Sequence, residues 1–188
     1  MDYYIDIKLI PNKEIRENVL LNQVYTEFHK RLYDMNAIDI AVSFPNYKLN
    51  LGSIFRIHGA KEALLKLNEK DWLSTFKPFY NISDIKIIPD TVQHRTISRI
   101  QQAMSQSKLR RLIKRAEDWK GGINQGDIKK YKIQILQGGL ENPFVELVSG
   151  SNGERHRRFI AFSELQESEI IGEFDTFGLS KTSTVPWF

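Results

Sequence analysis

The chain has 188 residues, 41% of them hydrophobic, with 11 Phe, 7 Tyr and 3 Trp, which is enough to bury a core in one large domain or two small ones. It contains no cysteine, which excludes disulfides, thiolate nucleophiles and Cys-based zinc sites and fits a reducing, cytoplasmic setting. Net charge is a mild +4, no apolar run approaches the roughly 18 residues of a membrane span, and the start MDYYIDIKLIP carries acid and alternates like a strand rather than a signal peptide.

Residues 3–9 alternate and predict a strand ended by Pro11. Residues 14–35 predict a helix, with Leu21, Val24, Tyr25, Phe28 and Leu32 recurring at helical spacing as its buried stripe. Residues 38–44 (IDIAVSF) read as a second strand stopped by Pro45, and residues 53–58 as a third. Residues 60–76 begin as a helix (AKEALLKL) and lose their period. Residues 85–88 (IKII) read as a fourth strand closed by Pro89. The order β-α-β-β-α-β predicts a ferredoxin-like sheet over residues 1–92. Residues 93–188 form a second α+β domain: a strand over 95–100, a basic helix over 107–119 ended by Gly121-Gly122, and strands over 130–137 and 144–149. Residues 157–162 are expected to pair with 144–149 across the turn at 151–153. Residues 178–188 show little local periodicity.

Charge is unevenly distributed. Residues 91–116 contain no acid and seven Lys or Arg, which leaves the remainder of the chain net negative. Such concentration is the footprint of a polyanion site. On a helical wheel at 100° per residue, Arg110, Arg111, Lys114 and Arg115 span about 0° to 140°, and Leu109, Leu112, Ile113 and Ala116 about 200° to 300°. The leucine side can dock while the cations fan outward. A solvated surface face is the alternative, but such faces mix Glu with Lys, and like charges one turn apart destabilise a helix unless an anion meets them. Three of the four cations are Arg, suited to bidentate phosphate contacts. Spacing alone does not separate RNA from DNA.

Of the four histidines, His29, His58, His94 and His156, no two lie at a metal-ligand spacing, and the chain has no P-loop, GxSxG or dinucleotide glycine motif. Neither a metal nor an organic cofactor is expected. His29 sits about 90° from the middle of the first helix's buried stripe, where a ring nitrogen can stay exposed and titrate near neutrality. A surface histidine without a role is the plain alternative. RNA carries its own nucleophile, the 2′-hydroxyl, so one well-placed base suffices to cleave it.

Several segments occur together and in order: MDYYIDIKL at the start, EFHKRL around His29, IAVSFP, RIH at 56–58, SRIQ at 98–101, LRRLIKR, and GLSKTSTVPWF at the end. Together they resemble the type I-F CRISPR repeat endoribonucleases, the Csy-four branch of the Cas-six superfamily, essentially end to end. The resemblance implies a metal-independent endoribonuclease that binds the repeat stem-loop of precursor CRISPR RNA and cuts at the base of the stem. It further implies that the enzyme stays on its product as a subunit of the type I-F surveillance complex, with no membrane partner. By the same resemblance, His29 matches the histidine that activates the 2′-hydroxyl, and Ser149 the serine that positions it. Arg99 and Gln101 match a pair that reads bases near the foot of the stem. Arg110, Arg111, Lys114 and Arg115 match an arginine helix that enters the groove. Three positions depart from the pattern. Phe177 stands where a tyrosine often precedes GLS and can shape the site but offers no hydroxyl. His156 stands where a phenylalanine stacks on the terminal base pair. Lys114 replaces an arginine. A non-catalytic hairpin-binding subunit is the rival reading. A generic single-strand binder is disfavoured because SIFRIH lacks the aromatic pattern of such sheets.

Overall fold

The structure is a computed structural model that describes residues 1–100, 110, 111, 113, 114, 126, 129, 130, 133, 142–148, 153 and 155–188, with the side chains of 75 and 76 left aside. It is a mixed α/β protein with antiparallel sheets and few helices among the described residues. Backbone contacts group it into two compact units, Met1–Arg99 with Pro143–Phe188, and Ile100–Asn142. Residues 93–99 and 143–188 are grouped with residues 1–92, and the Val42 amide donates to the Gly178 carbonyl (3.0 Å) and the Phe174 amide to the Ile38 carbonyl (2.9 Å).

The first sheet runs β2 (Ala41–Ser43), β3 (Ile54–Gly59), β1 (Tyr3–Leu9), β4 (Tyr80–Ile82), with β5 (Lys86–Ile87) also on β1. Period-two alternation turns Ile5, Ile7 and Leu9 inward, and the register sets Ile5 opposite Ile57 and Ile7 opposite Phe55. Over this face lies α1 (Glu17–Met35), burying Leu20, Leu21, Val24, Tyr25, Phe28 and Leu32. Each such side chain contributes about 1.5–3 kcal/mol when fully buried. The helix starts later than residue 14 because Asn12 Oδ1 accepts from the amides of Glu14 (2.8 Å) and Ile15 (2.7 Å), holding that turn out of the helix. It stops at Asn36, whose left-handed φ of 50° lets its amide reach back to Leu32 and Tyr33 carbonyls.

The second predicted helix is α2 (Lys61–Asn68), followed by a 3-10 turn (Ser74–Phe79). Buried Arg31 of α1 donates to the Lys66 carbonyl (2.5 Å) and the Leu67 carbonyl (3.2 Å), occupying the helix's last acceptors. The fourth strand is broken in two. Ser83 interrupts it, its amide bonding Asp6 O at 2.9 Å while its hydroxyl accepts from the Asp6 amide at 3.0 Å. The β4 half escaped the sequence reading because Pro78 and Asn81 mask a strand only three residues long.

Beyond it, the predicted strand over 95–100 divides into β6 (Gln93–Arg95) and β7 (Ile97–Ile100). β7 joins β9 (Arg155–Phe162) and β8 (Phe144–Val148) in a sheet of order β7-β9-β8. The expected pairing of β8 with β9 is present, with Glu146 opposite Arg157. β10 (Val185–Trp187) pairs with β6, a strand the weak periodicity of 178–188 did not announce. The strand expected over 130–137 is not found at its described positions. Lys129, Lys130 and Ile133 are helical.

The outer face of the first sheet carries Tyr4, Asp6, Arg56, His58 and Ser43, which the register lines up. Arg56 forks onto Asp6 (2.6 and 3.0 Å), donates to the Phe188 carbonyl (2.9 Å) and lies 4.1 Å from the Phe188 ring centre. Trp187 instead packs edge-on against Tyr47 and Phe162. The last two aromatics therefore pack against different partners and anchor the end of β10.

His58 is fully buried, with a ring nitrogen 2.7 Å from Ser43 Oγ and Nδ1 without a partner among the described residues. Burial, with Arg56 adding to it, pushes its pKa down to about 3. Its folded pKa therefore lies below the unfolded value near 6.5. Stability is full above pH 6.5 and is lost as pH falls toward 3, by about 1.4 kcal/mol per pH unit for one proton. Urea melts of wild type and His58→Gln between pH 6.5 and 4.5 should show the wild type losing stability more steeply by about that amount. Equal slopes would remove His58 as the source.

Candidate active site

The site is assembled by α1, β9 and the turn at residues 175–178. Asp175 Oδ1 accepts from the amides of Phe177 (2.9 Å) and Leu179 (3.0 Å), and the Gly178 amide donates to the Asp175 carbonyl (2.8 Å). Gly178 has φ +68°, and a Cβ there would meet Val42 and Phe28 at 3.1–3.2 Å. Only glycine fits both the left-handed backbone and the close approach. The Gly178 carbonyl accepts from the Val42 amide at 3.0 Å, which ties the turn to β2. Tyr25 of α1 donates its hydroxyl to the Phe177 carbonyl at 2.9 Å. Burial holds the Tyr25 pKa well above the ordinary value, so this phenol remains a donor.

These ties bring the turn against His29. Its Nδ1 lies 2.8 Å from the Thr176 carbonyl oxygen. A carbonyl only accepts, so Nδ1 carries the hydrogen and the lone pair of the neutral ring resides on Nε2. Nε2 has no hydrogen-bond partner among the described residues. The imidazole stacks on Phe177 at 3.5 Å between ring centres, 13° from parallel. Burial is the main reason that its pKa lies below 6.5; the Thr176 bond opposes the shift and the Arg158 charge adds to it. The ring is therefore neutral near pH 7 and offers a base of fixed tautomer and fixed plane.

His29 and Phe177 are thus in direct contact. Arg99 is exposed on β7, and its charge acts on Arg158. His156 is exposed on β9, opposite Leu147 of β8. Arg110, Arg111 and Lys114 are helical and exposed, in the second compact unit. Ser149, Gln101 and Arg115 lie outside the described residues. The strand leading to Ser149 is anchored to α1, since the Glu146 amide donates to Asn22 Oδ1 at 2.9 Å.

Sequence reasoning missed Arg158, Asp175, Thr176 and Gly178. A signal existed for Arg158: it is two residues from His156 and so shares its face of β9. Thr176 acts through its carbonyl, which no residue type encodes. Among the described residues no three His, Asp or Glu side chains gather as a metal cage, and no helix is long and apolar enough to cross a membrane.

The family profile described as "CRISPR-associated protein (Cas_Csy4)" matches residues 4–188. Two curated relatives are both named "CRISPR-associated endonuclease Cas6/Csy4". The one from Pseudomonas aeruginosa (strain UCBPP-PA14) is 31% identical over 191 residues, with all of both chains covered. The one from Escherichia coli (strain UTI89 / UPEC) is 30% identical over 190 residues, again with full coverage. A solved structure of the CRISPR endoribonuclease Cse3 bound to 19 nt RNA aligns over 99% of this chain and 100% of its own at 12% identity and a TM-score of 0.37. Matched along almost its whole length, the chain belongs to the Cas_Csy4 family of CRISPR-associated proteins.

Proposed function

We propose that the protein is a CRISPR repeat endoribonuclease that cleaves a stem-loop without a metal ion, by attack of the RNA's own 2′-hydroxyl. One observation carries this reading: the Thr176 carbonyl fixes His29 as the Nδ1–H tautomer, leaving a neutral Nε2 lone pair with no partner among the described residues. That lone pair takes the 2′-hydroxyl proton. The 2′-oxygen then attacks the adjacent phosphate, and the products are a 2′,3′-cyclic phosphate and a 5′-hydroxyl. Ser149 holds the attacking hydroxyl. Arg99 and Gln101 read bases at the foot of the stem, and His156 stacks on its terminal pair. Arg110, Arg111, Lys114 and Arg115 grip the groove. On this reading residues 1–92 are the ferredoxin-like part, a layout supported by the strand order β2-β3-β1-β4, and residues 93–188 hold the RNA. The relatives' names support the nuclease assignment. The enzyme remains on its product as a subunit of the surveillance complex.

The test is purified protein with repeat hairpin RNA in excess EDTA. Cutting is expected there, and none of a hairpin with 2′-deoxyribose at the scissile nucleotide. Cleavage of the deoxy substrate would rule out the mechanism. Tight binding with no cutting of the all-ribose hairpin would leave the non-catalytic subunit instead, a reading that Phe177, with its missing hydroxyl, keeps in play.

A further inference from the structure

β9 carries three arginines, and they are not alike. Arg155 and Arg157 lie on one face and share Glu146 at 3.2 and 3.5 Å. Arg158 lies on the other face and makes no ion pair or hydrogen bond among the described residues. It is half-buried, and its guanidinium carbon sits 3.3 Å from the centre of the Phe177 ring. The His29 imidazole lies 3.5 Å from the same centre. Two groups so close to one ring centre cannot share a face of it. Phe177 is therefore held between imidazole and guanidinium.

A guanidinium drawn partly out of water, with no hydrogen-bond acceptor among the described residues, is costly unless an anion meets it. The Arg99 charge acts on it as well, and one like charge beside another raises that cost. Asp175, whose charge also reaches Arg158, spends Oδ1 on two turn amides. Phe177 has no polar atom on its side chain. The complement of this arrangement is an anion of trigonal or tetrahedral oxygens, and a phosphate suits a guanidinium fork. In RNA the 2′-oxygen and the phosphate it attacks belong to one nucleotide. Imidazole and guanidinium, two stacking distances apart along the edge of Phe177, can address both at once.

We propose that Arg158 is a further catalytic residue, binding the non-bridging oxygens of the scissile phosphate and stabilising the phosphorane while His29 removes the 2′ proton. This rests on the endoribonuclease reading above. In the step, the bond from the 2′-oxygen to phosphorus forms and the bond from phosphorus to the 5′-oxygen breaks. The 2′ proton goes to His29 Nε2, and the departing 5′-oxygen takes a proton from solvent. The guanidinium keeps its protons and supplies charge where negative charge grows.

The experiment compares wild type, Arg158→Met, Arg158→Gln and Arg158→Lys in single-turnover cleavage of repeat hairpin RNA. Affinity is measured in parallel with the 2′-deoxy hairpin, and folding by thermal melts. Methionine and glutamine keep apolar or planar contact with Phe177 but remove the charge; each should slow cleavage about 100-fold, as loss of one oxyanion donor does. Lysine should restore part of the rate. The deoxy-hairpin Kd should move far less than the rate. Because the Arg158 charge lowers the His29 pKa, the acid limb of the rate profile should shift to higher pH in the neutral variants. A rate for Arg158→Met equal to wild type, or a Kd loss that accounts for the whole rate loss, overturns the proposal. A folded wild type that binds the hairpin and never cuts it overturns the endoribonuclease reading, and the proposal with it. Should Arg158→Gln fail to fold, Arg158→Met against Arg158→Lys still decides the matter.

Discussion

Replacing His29 with alanine is expected to slow single-turnover cleavage of the repeat hairpin by about 10²–10⁴-fold, the range for a positioned general base. Hairpin affinity should stay within about threefold, because no cation of the proposed grip is removed and phosphate contacts dominate such affinity. The fold should survive: the imidazole is half-buried at the shoulder of α1, while the stripe beneath it, Tyr25, Phe28 and Leu32, is untouched. The pH dependence carries the sign of the chemistry. The base works only when neutral, and burial holds its pKa below 6.5. The rate should be flat at and above neutrality and fall as pH drops through a value below 6.5. His29→Ala should lose that limb along with the activity. Rates measured from pH 5 to 8 check both. A variant that cuts as fast as wild type would leave the imidazole without a part in the reaction.

Substituting alanine or glutamine for Arg110, Arg111, Lys114 and Arg115 together should have the opposite profile: weak binding with the chemistry intact. Arg110, Arg111 and Lys114 are exposed on helical backbone. If each cation neutralises one phosphate, the salt slope of log affinity should flatten by about 0.7–0.9 per contact, about 3 in all, and affinity near 0.1 M salt should drop on the order of 10³-fold. At saturating protein the cleavage rate should recover toward wild type, since His29 and its turn lie in the other compact unit. Titrations at several salt concentrations read the slope. An unchanged slope would mean that this helix is not the docking surface.

These two variants test gripping and cutting separately, and the elements behind them were legible in the sequence in unequal measure. Helical backbone at Arg110, Arg111, Ile113 and Lys114 was visible because helical periodicity is a property of local spacing; Leu109, Leu112, Arg115 and Ala116 lie outside the described residues. α1 was visible for the same reason, and so was the β8–β9 hairpin, whose partners are close in sequence. β10 was not. Its partner, β6, is some 90 residues away, and no pattern within 178–188 records a pairing made elsewhere. The strand expected over 130–137 failed in the opposite way: a locally plausible alternation gave way to helical backbone at Lys130 and Ile133.

By itself the sequence determined β1, β2, β3 and the two helices between them and after them, the buried stripe of α1, the concentration of charge, and, through ordered motifs, the family and His29 as the candidate base. Tertiary structure decided the state in which the His29 ring is held. The tautomer is set by a main-chain oxygen at Thr176, the ring plane by Phe177, and the local charge by Arg158, all more than 120 residues along the chain. Side-chain types can advertise an imidazole. A carbonyl that fixes its proton belongs to every residue alike, so only the folded backbone, turned at Gly178 and locked to Val42, determines which one meets it.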